Sequence, residues 1–265
     1  MILLVYSVGV IGHRVGIGVV GLSVLLAGAV LATPSQAADK TEIYVVQGLP
    51  NRTVDVEIDG KSVADGLAAT KVAGPFDVKA GSHTLRVSED GKTVVEKTVK
   101  VKPDNSTDVV VHLPGPGKTD PTLTAYENDL SAMPSDKANL TVAHTATVPP
   151  ADVTVNGKVL FSDIANGQAL SLVVPVGTYS TAIVPHDEDT PVYLGPLKLT
   201  VEGGALNRVY AVGDPEKKTM NVVLHVIDVP KTGSKKPKKV DTGTGGQAAG
   251  LESGQEPVLW VDLTR

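Results

Sequence analysis

His144 and Asp152 stand eight residues apart, and Gln47 and Asp55 stand at the same spacing 97 residues earlier. A histidine with a carboxylate at hand has the makings of a general base and its orienting partner. Glutamine can donate a hydrogen bond but cannot take up a proton at neutral pH. A pairing that tolerates His-to-Gln exchange therefore reads as a structural bond to a carboxylate across neighbouring strands, since buried polar groups need partners. No catalytic residue is assigned. His83, His112, His186 and His225 show no metal-ligand spacing. "PHDEDT" (Pro185 to Thr190) and "PDNSTD" (Pro103 to Asp108) gather carboxylates. Neither has the Asp-x-Asp-x-Asp-Gly pattern and distal Glu of an EF-hand, and both read as solvated turns. Metal and cofactor sites are thus expected to be absent. There is no cysteine, hence no thiol nucleophile, and no Gly-x-Ser-x-Gly or phosphate-cradling loop. The chain is not expected to be an enzyme. Its net charge of −5 argues against nucleic acid as a partner.

The elements that must carry these residues come from a repeat. "VDVEIDGK" (Val54 to Lys61) returns as "ADVTVNGK" (Ala151 to Lys158). "GPFDVKAGSHTLRV" matches "LSLVVPVGTYSTAIV", and "TVVEKTVKVKPDNSTDVVVHL" matches "VYLGPLKLTVEGGALNRVYAV". "TVDVEI", "HTLRVS" and "KTVVEKTVKV" alternate with period two, as half-buried strands do. Asp59-Gly60, Asp90-Gly91 and Asn156-Gly157 are hairpin signals. The best helical candidate, "ENDLSAMPSDKAN", is interrupted by Pro134 and reads as a loop. Frequent turns between short strands, rich in Val and poor in aromatics, predict an all-β chain of two tandem antiparallel immunoglobulin-like β-sandwich domains. The Pro- and Gly-rich "LPGPGKTDPT" places the expected boundary between residues 38–117 and 118–228.

The second copy, "LTVAHTATVPPADVTVNGKVL…VPVGTYSTAIV", resembles a bacterial family, domain of unknown function 4397. The resemblance rests on Val142, His144, Pro149, Pro150, Asp152, Val153, Asn156, Gly157, Gly177, Thr178 and Tyr179. The first copy departs from it, with Gln47 in place of the histidine and Ser82-His83 in place of Thr-Tyr. The resemblance implies a secreted or wall-associated bacterial protein, often actinobacterial, with no assigned activity.

Residues 1–37 read as a secretory signal peptide. His13 and Arg14 precede an apolar run of 18 residues, and Ser35 and Ala37 form a small-residue cleavage site. The apolar dozen before His13 places the expected true start downstream. Contact with a membrane is expected only through this segment before cleavage. Asn51, Asn105 and Asn139 fall in glycosylation-type triplets that a bacterial chain leaves unused. The tail, 229–265, begins with a lysine cluster, continues as a Gly-rich flexible stretch and ends in the apolar "PVLWVDLTR". "VDTGTGG" is faintly similar to a sortase signal but lacks its Leu-Pro pair, so anchoring by that route is not expected. Trp260 lies in the tail, and Tyr44, Tyr126, Tyr179, Tyr193 and Tyr210 are spread over different strands, so no sugar-stacking platform is signalled. The expectation is a secreted or wall-associated structural, adhesive or interaction protein. Its partner would be wall polymer or another surface protein, met through the tail or exposed strand edges. The alternative is a binding module for wall glycan or a small ligand.

Overall fold

The computed structural model describes residues 40–232. The expected signal peptide and residues 233–265 of the tail lie outside them. The first module contains β1 (Glu42–Gln47), β2 (Thr53–Ile58), β3 (Lys61–Ala68), β4 (Val72–Asp77), β5 (Gly81–Glu89), β6 (Lys92–Val101), β7 (Ser106–His112) and β8 (Thr122–Glu127). They form two sheets, ordered β4-β1-β7-β8 and β3-β2-β5-β6. After the short β9 (Met133–Pro134), the second module runs through β10 (Lys137–Ala146), β11 (Ala151–Val155), β12 (Lys158–Ile164), β13 (Ala169–Pro175), β14 (Gly177–Pro185), β15 (Leu194–Val201), β16 (Ala205–Gly213) and β17 (Asn221–Asp228). Its sheets, β13-β10-β16-β17 and β12-β11-β14-β15, repeat the order of the first strand for strand. Finally β18 (Lys231–Thr232) pairs in parallel with β9. No helix occurs among the described residues.

Alternation builds each sandwich. In β2, Val54, Val56 and Ile58 turn inward between more exposed neighbours, and they meet Leu85, Val87, Val109 and Val111. The second core repeats the scheme with Val153, Val155, Ile183, Leu140 and Val142. The hairpin signals are obeyed. Asp59-Gly60 has φ of 52° and 75°, Asn156-Gly157 has 50° and 77°, and Asp90-Gly91 has 50° and 75°. Two successive positive φ angles define the turn whose twist matches that of the flanking strands.

Two details depart from the sequence reading. Strand β8 pairs antiparallel with β7 from Thr107↔Glu127 to His112↔Thr122, so the first sheet runs on to residue 127. The Pro/Gly stretch expected to divide the domains is the connection between those two strands, and the link between modules lies after Glu127. In addition, β1 pairs in parallel with β7, and β10 in parallel with β16. Alternation fixes which face a side chain takes; it does not fix strand direction.

The two modules pack face to face. The outer side of β1, β7 and β8 meets the outer side of β10, β16 and β17 in a cluster that joins Val46, Val110 and Tyr126 to Ala143, Tyr210, Val212 and Val223. Strands β7 and β16 are consequently buried at every position, since each has a sandwich core on one side and the other module on the other. Burying one such valine contributes roughly 1.5–3 kcal/mol.

Candidate functional site

His144 and Gln47 take the same structural post, but the bond is not the one expected. His144 Nε2 donates to the Pro149 carbonyl at 3.2 Å, and Gln47 Nε2 donates to the Arg52 carbonyl at 3.2 Å. Each reaches five residues ahead and ties down the loop into the next sheet. Gln47 Oε1 also accepts from the Leu49 amide at 2.9 Å. Neither side chain bonds the carboxylate eight residues on, because that carboxylate serves other donors. Asp55 Oδ1 accepts from the Gly66 amide at 2.8 Å, and Asp152 Oδ1 accepts from the Asp163 amide at 2.8 Å. Both amides sit 11 residues further along, on strands whose pairing slips register beside them. Burial pushes the His144 imidazole below its usual range, so the ring is neutral, and its Nδ1 is buried without a partner. The imidazole is 4% exposed, so the hydrogen bond it makes is an interior one.

The same bracing holds at the other repeated positions. Asp59 Oδ1 accepts from the Thr84 amide at 2.9 Å, and Asn156 Oδ1 accepts from the Ser180 amide at 3.0 Å. His83 Nε2 donates to the Lys79 carbonyl at 2.7 Å, and the Tyr179 hydroxyl donates to the Pro175 carbonyl at 2.7 Å. Where the second copy has Tyr179 the first has His83, one donor in place of another. Four pairs of positions, occupied by different residue types in three of them, satisfy equivalent backbone groups in the two copies. Backbone bracing is what the repeat copies.

Asp152 also draws in Ser162, His186 and Asp187, a grouping that the sequence did not signal. By composition it resembles a hydrolytic triad, but its geometry differs. His186 Nδ1 donates to Asp152 Oδ1 at 3.0 Å, and Ser162 Oγ donates to the same oxygen at 3.0 Å. The hydroxyl lies 3.4 Å from Nδ1, the nitrogen already committed to the aspartate, while Nε2 faces Asp187 Oδ2 at 3.3 Å. A nucleophile would have to sit on Nε2. Asp152, His186 and Asp187 each offer a ligand atom within 4.8 Å of the others. The Asp152 lone pairs, however, are occupied by Ser162, His186 and the amides of Asp163 and Asp187. Burial raises the Asp152 carboxyl and these donors more than offset it, leaving it below the usual carboxylate range. Asp152 thus caps the turn that follows β14 and ties it to β12.

The most demanding polar site lies between the modules. Asp108, read from the sequence as part of a solvated turn, sits within β7 and is fully buried. Its Oδ2 accepts from the Tyr210 hydroxyl at 2.6 Å and from His225 Nδ1 at 2.8 Å, both on the second module. Its Oδ1 accepts from Asn128 Nδ2 at 2.7 Å. Burial drives the Asp108 carboxyl upward, but donation from His225, Tyr210 and Asn128 outweighs it and holds the group below the usual range, as an anion. The Tyr210 hydroxyl is raised well above its usual range by burial and the neighbouring carboxylate, which fixes it as a donor. Around this centre Tyr44 packs on the His225 ring with centroids 4.4 Å apart, and Tyr126 packs on Tyr210 at 5.8 Å. The buried Arg208 guanidinium lies 5.7 Å from the Tyr126 ring centre and donates from Nη2 to the Glu127 carbonyl. Further bonds cross the seam from the Tyr126 hydroxyl to the Gly167 carbonyl at 3.1 Å and from Asn166 Nδ2 to the Leu113 carbonyl at 3.3 Å. The arrangement is a weld: polar groups that belong to separate sandwiches hydrogen-bond one another, out of solvent. The tyrosines that the sequence showed as scattered contribute three members to it, Tyr44, Tyr126 and Tyr210.

No curated protein matches the chain. Residues 41–151, which hold the first sandwich whole and end on the first residue of β11, match the sequence profile of the family described as Domain of unknown function (DUF4397).

Proposed function

We propose that this is a secreted or wall-associated, non-enzymatic bacterial protein of actinobacterial type, and that it works by display. Two sandwiches welded into one rigid body hold loops and strand edges away from the membrane. The tail, 229–265, tethers that body to wall polymer or to another surface protein. The signal-like segment 1–37 and the lysine cluster from Lys231 to Lys239 support this reading at sequence level. The observation that carries it is the equivalence of His144 with Gln47 and of Tyr179 with His83. The repeated polar residues serve the backbone, and the deepest ionic group, Asp108, serves the junction between modules.

Retention on purified peptidoglycan, compared between the full chain and a chain lacking residues 233–265, tests the proposal. Retention that disappears with the tail supports tethered display. Equal retention of both would mean that the sandwiches themselves bind glycan, which is the rival reading.

A further inference from the structure

Beside the weld, a cleft of about 340 Å³ opens between the modules. The loop after β1 and the turn after β3 form one wall, and the loop before β17 forms the other. Gly48 lines its base: a Cβ there would stand 2.8 Å from the Val111 carbonyl oxygen and 3.0 Å from Val212 Cγ1. Glycine therefore lets the two walls approach closely while leaving the space above them empty.

The polar residues on the walls are neutral apart from one lysine: Asn51 and Thr70 line one wall, and Lys218, Thr219 and Asn221 line the other. Asp214, near in sequence, does not line the cleft; it is paired with Lys217 at 3.1 Å and caps the amides of Glu216 and Lys217. Among the described residues, no carboxylate lines the space, no aromatic ring lines it to stack on a sugar face, and Lys218 has no ion pair. Among these residues the formal charge on the walls is thus one ammonium, beside neutral groups able to donate.

The backbone here is also unusual. Asn51, Thr70 and Lys218 have φ of 57°, 65° and 56°. Asparagine adopts such angles readily, but threonine and lysine do so at a cost. Residues held in sparsely populated regions concentrate where a site must present its groups in a fixed arrangement.

We infer that this cleft binds a small organic oxyanion, a phosphate or a carboxylate, through the Lys218 ammonium, with Asn51, Thr70 and Asn221 as neutral donors. Junctions between modules are favoured places for such sites, and the volume suits one monosaccharide-sized ligand. The charge selects the anion, and the amides and hydroxyl select a hydrated, hydroxyl-bearing body. This inference does not depend on where the protein resides.

The test is an amide NMR titration of the full chain with glycerol 3-phosphate, glucuronate and glucose in parallel. Saturable shifts at Asn51, Thr70, Lys218 and Asn221 with either anion, and none with glucose, are expected, and the stronger anion identifies the headgroup. Lys218→Gln should weaken binding by about tenfold or more with an unchanged melting temperature. Asn51→Gly, which accepts the same backbone angle, should weaken it several-fold and serves if the lysine variant does not fold. Failure of both anions to give saturable shifts, equal binding of glucose, or full affinity in the variants would overturn the inference.

Discussion

The Tyr210 hydroxyl of the second sandwich donates at 2.6 Å to the fully buried carboxylate of Asp108 in the first. One hydrogen bond thereby makes each module's interior depend on the presence of the other. A carboxylate taken out of water is costly unless its lone pairs are met, and two of the three side chains that meet these belong to the neighbouring module or to its edge strand.

Tyr210→Phe removes that donor and leaves the ring packing in place. A hydrogen bond to a buried charge contributes roughly 1.5–3 kcal/mol, and urea unfolding should register a loss of that size. Asp108→Ala should lose more, since it strands the Tyr210 hydroxyl and His225 Nδ1 together.

Acid should weaken the protein well before carboxylates titrate. Burial depresses the His112 imidazole to about 4, with Nδ1 donating to the Leu113 carbonyl and Nε2 accepting from Thr124. His144 is depressed for the same reason. In the unfolded chain these groups take up protons near pH 6.5, whereas in the folded chain they resist. Their contribution is complete above that pH and fades as pH falls toward 4, by about 3 kcal/mol for His112. Asp108 adds a second loss at lower pH, as its depressed carboxyl is finally protonated. Melting temperature against pH should begin to fall near 6.5, and His112→Gln should flatten that first decline.

His83 works in the opposite direction. Burial lowers its imidazole, but Asp59 at 2.7 Å on Nδ1 and the Lys79 carbonyl at 2.7 Å on Nε2 outweigh this, so the group is raised above its usual range. Its contribution is present below the unfolded value of 6.5 and is lost as pH rises through the folded value. His83→Tyr, which installs the residue that the second copy uses, should keep the bond to the Lys79 carbonyl and abolish this alkaline decline in melting temperature.

A second exchange between the copies gives a fourth check. His144→Gln should shift stability by less than about 1 kcal/mol, because glutamine makes the equivalent bond at position 47. His144→Ala, which leaves the Pro149 carbonyl unmet and opens space, should cost roughly 2–4 kcal/mol by thermal unfolding. Retention of fold in the first variant and its weakening in the second would identify the donor, not the imidazole, as what matters.

These results also mark how far the sequence could be read. Period-two patterns in "TVDVEI" and the Asp-Gly turns were enough to give strands, hairpins and a duplicated sandwich, because a pleated strand exposes alternate residues whatever its neighbours. The partners of the repeated polar groups were not legible. His144 reaches a carbonyl five residues ahead and Asp152 an amide 11 residues ahead, and both targets are backbone groups that every residue supplies. Nor could Asp108 be placed. In "STDVVVHL" it occupies an outward position, which on an isolated sandwich means solvent, and only packing of the second module over that face makes it buried. The boundary at "LPGPGKTDPT" failed for a related reason: Pro and Gly mark a loop equally well within a sheet and between domains.

The absence of cysteine makes the decisive experiment clean. Spin labels at Lys61→Cys on β3 and Val159→Cys on β12, both exposed, report the separation of the two sandwiches by dipolar spectroscopy. A rigid body joined through Asp108 predicts one narrow distance distribution in the otherwise unaltered chain, broadened by Asp108→Ala. A broad or multiple distribution with Asp108 intact would mean that the modules move independently, and it would contradict the weld and the display that rests on it.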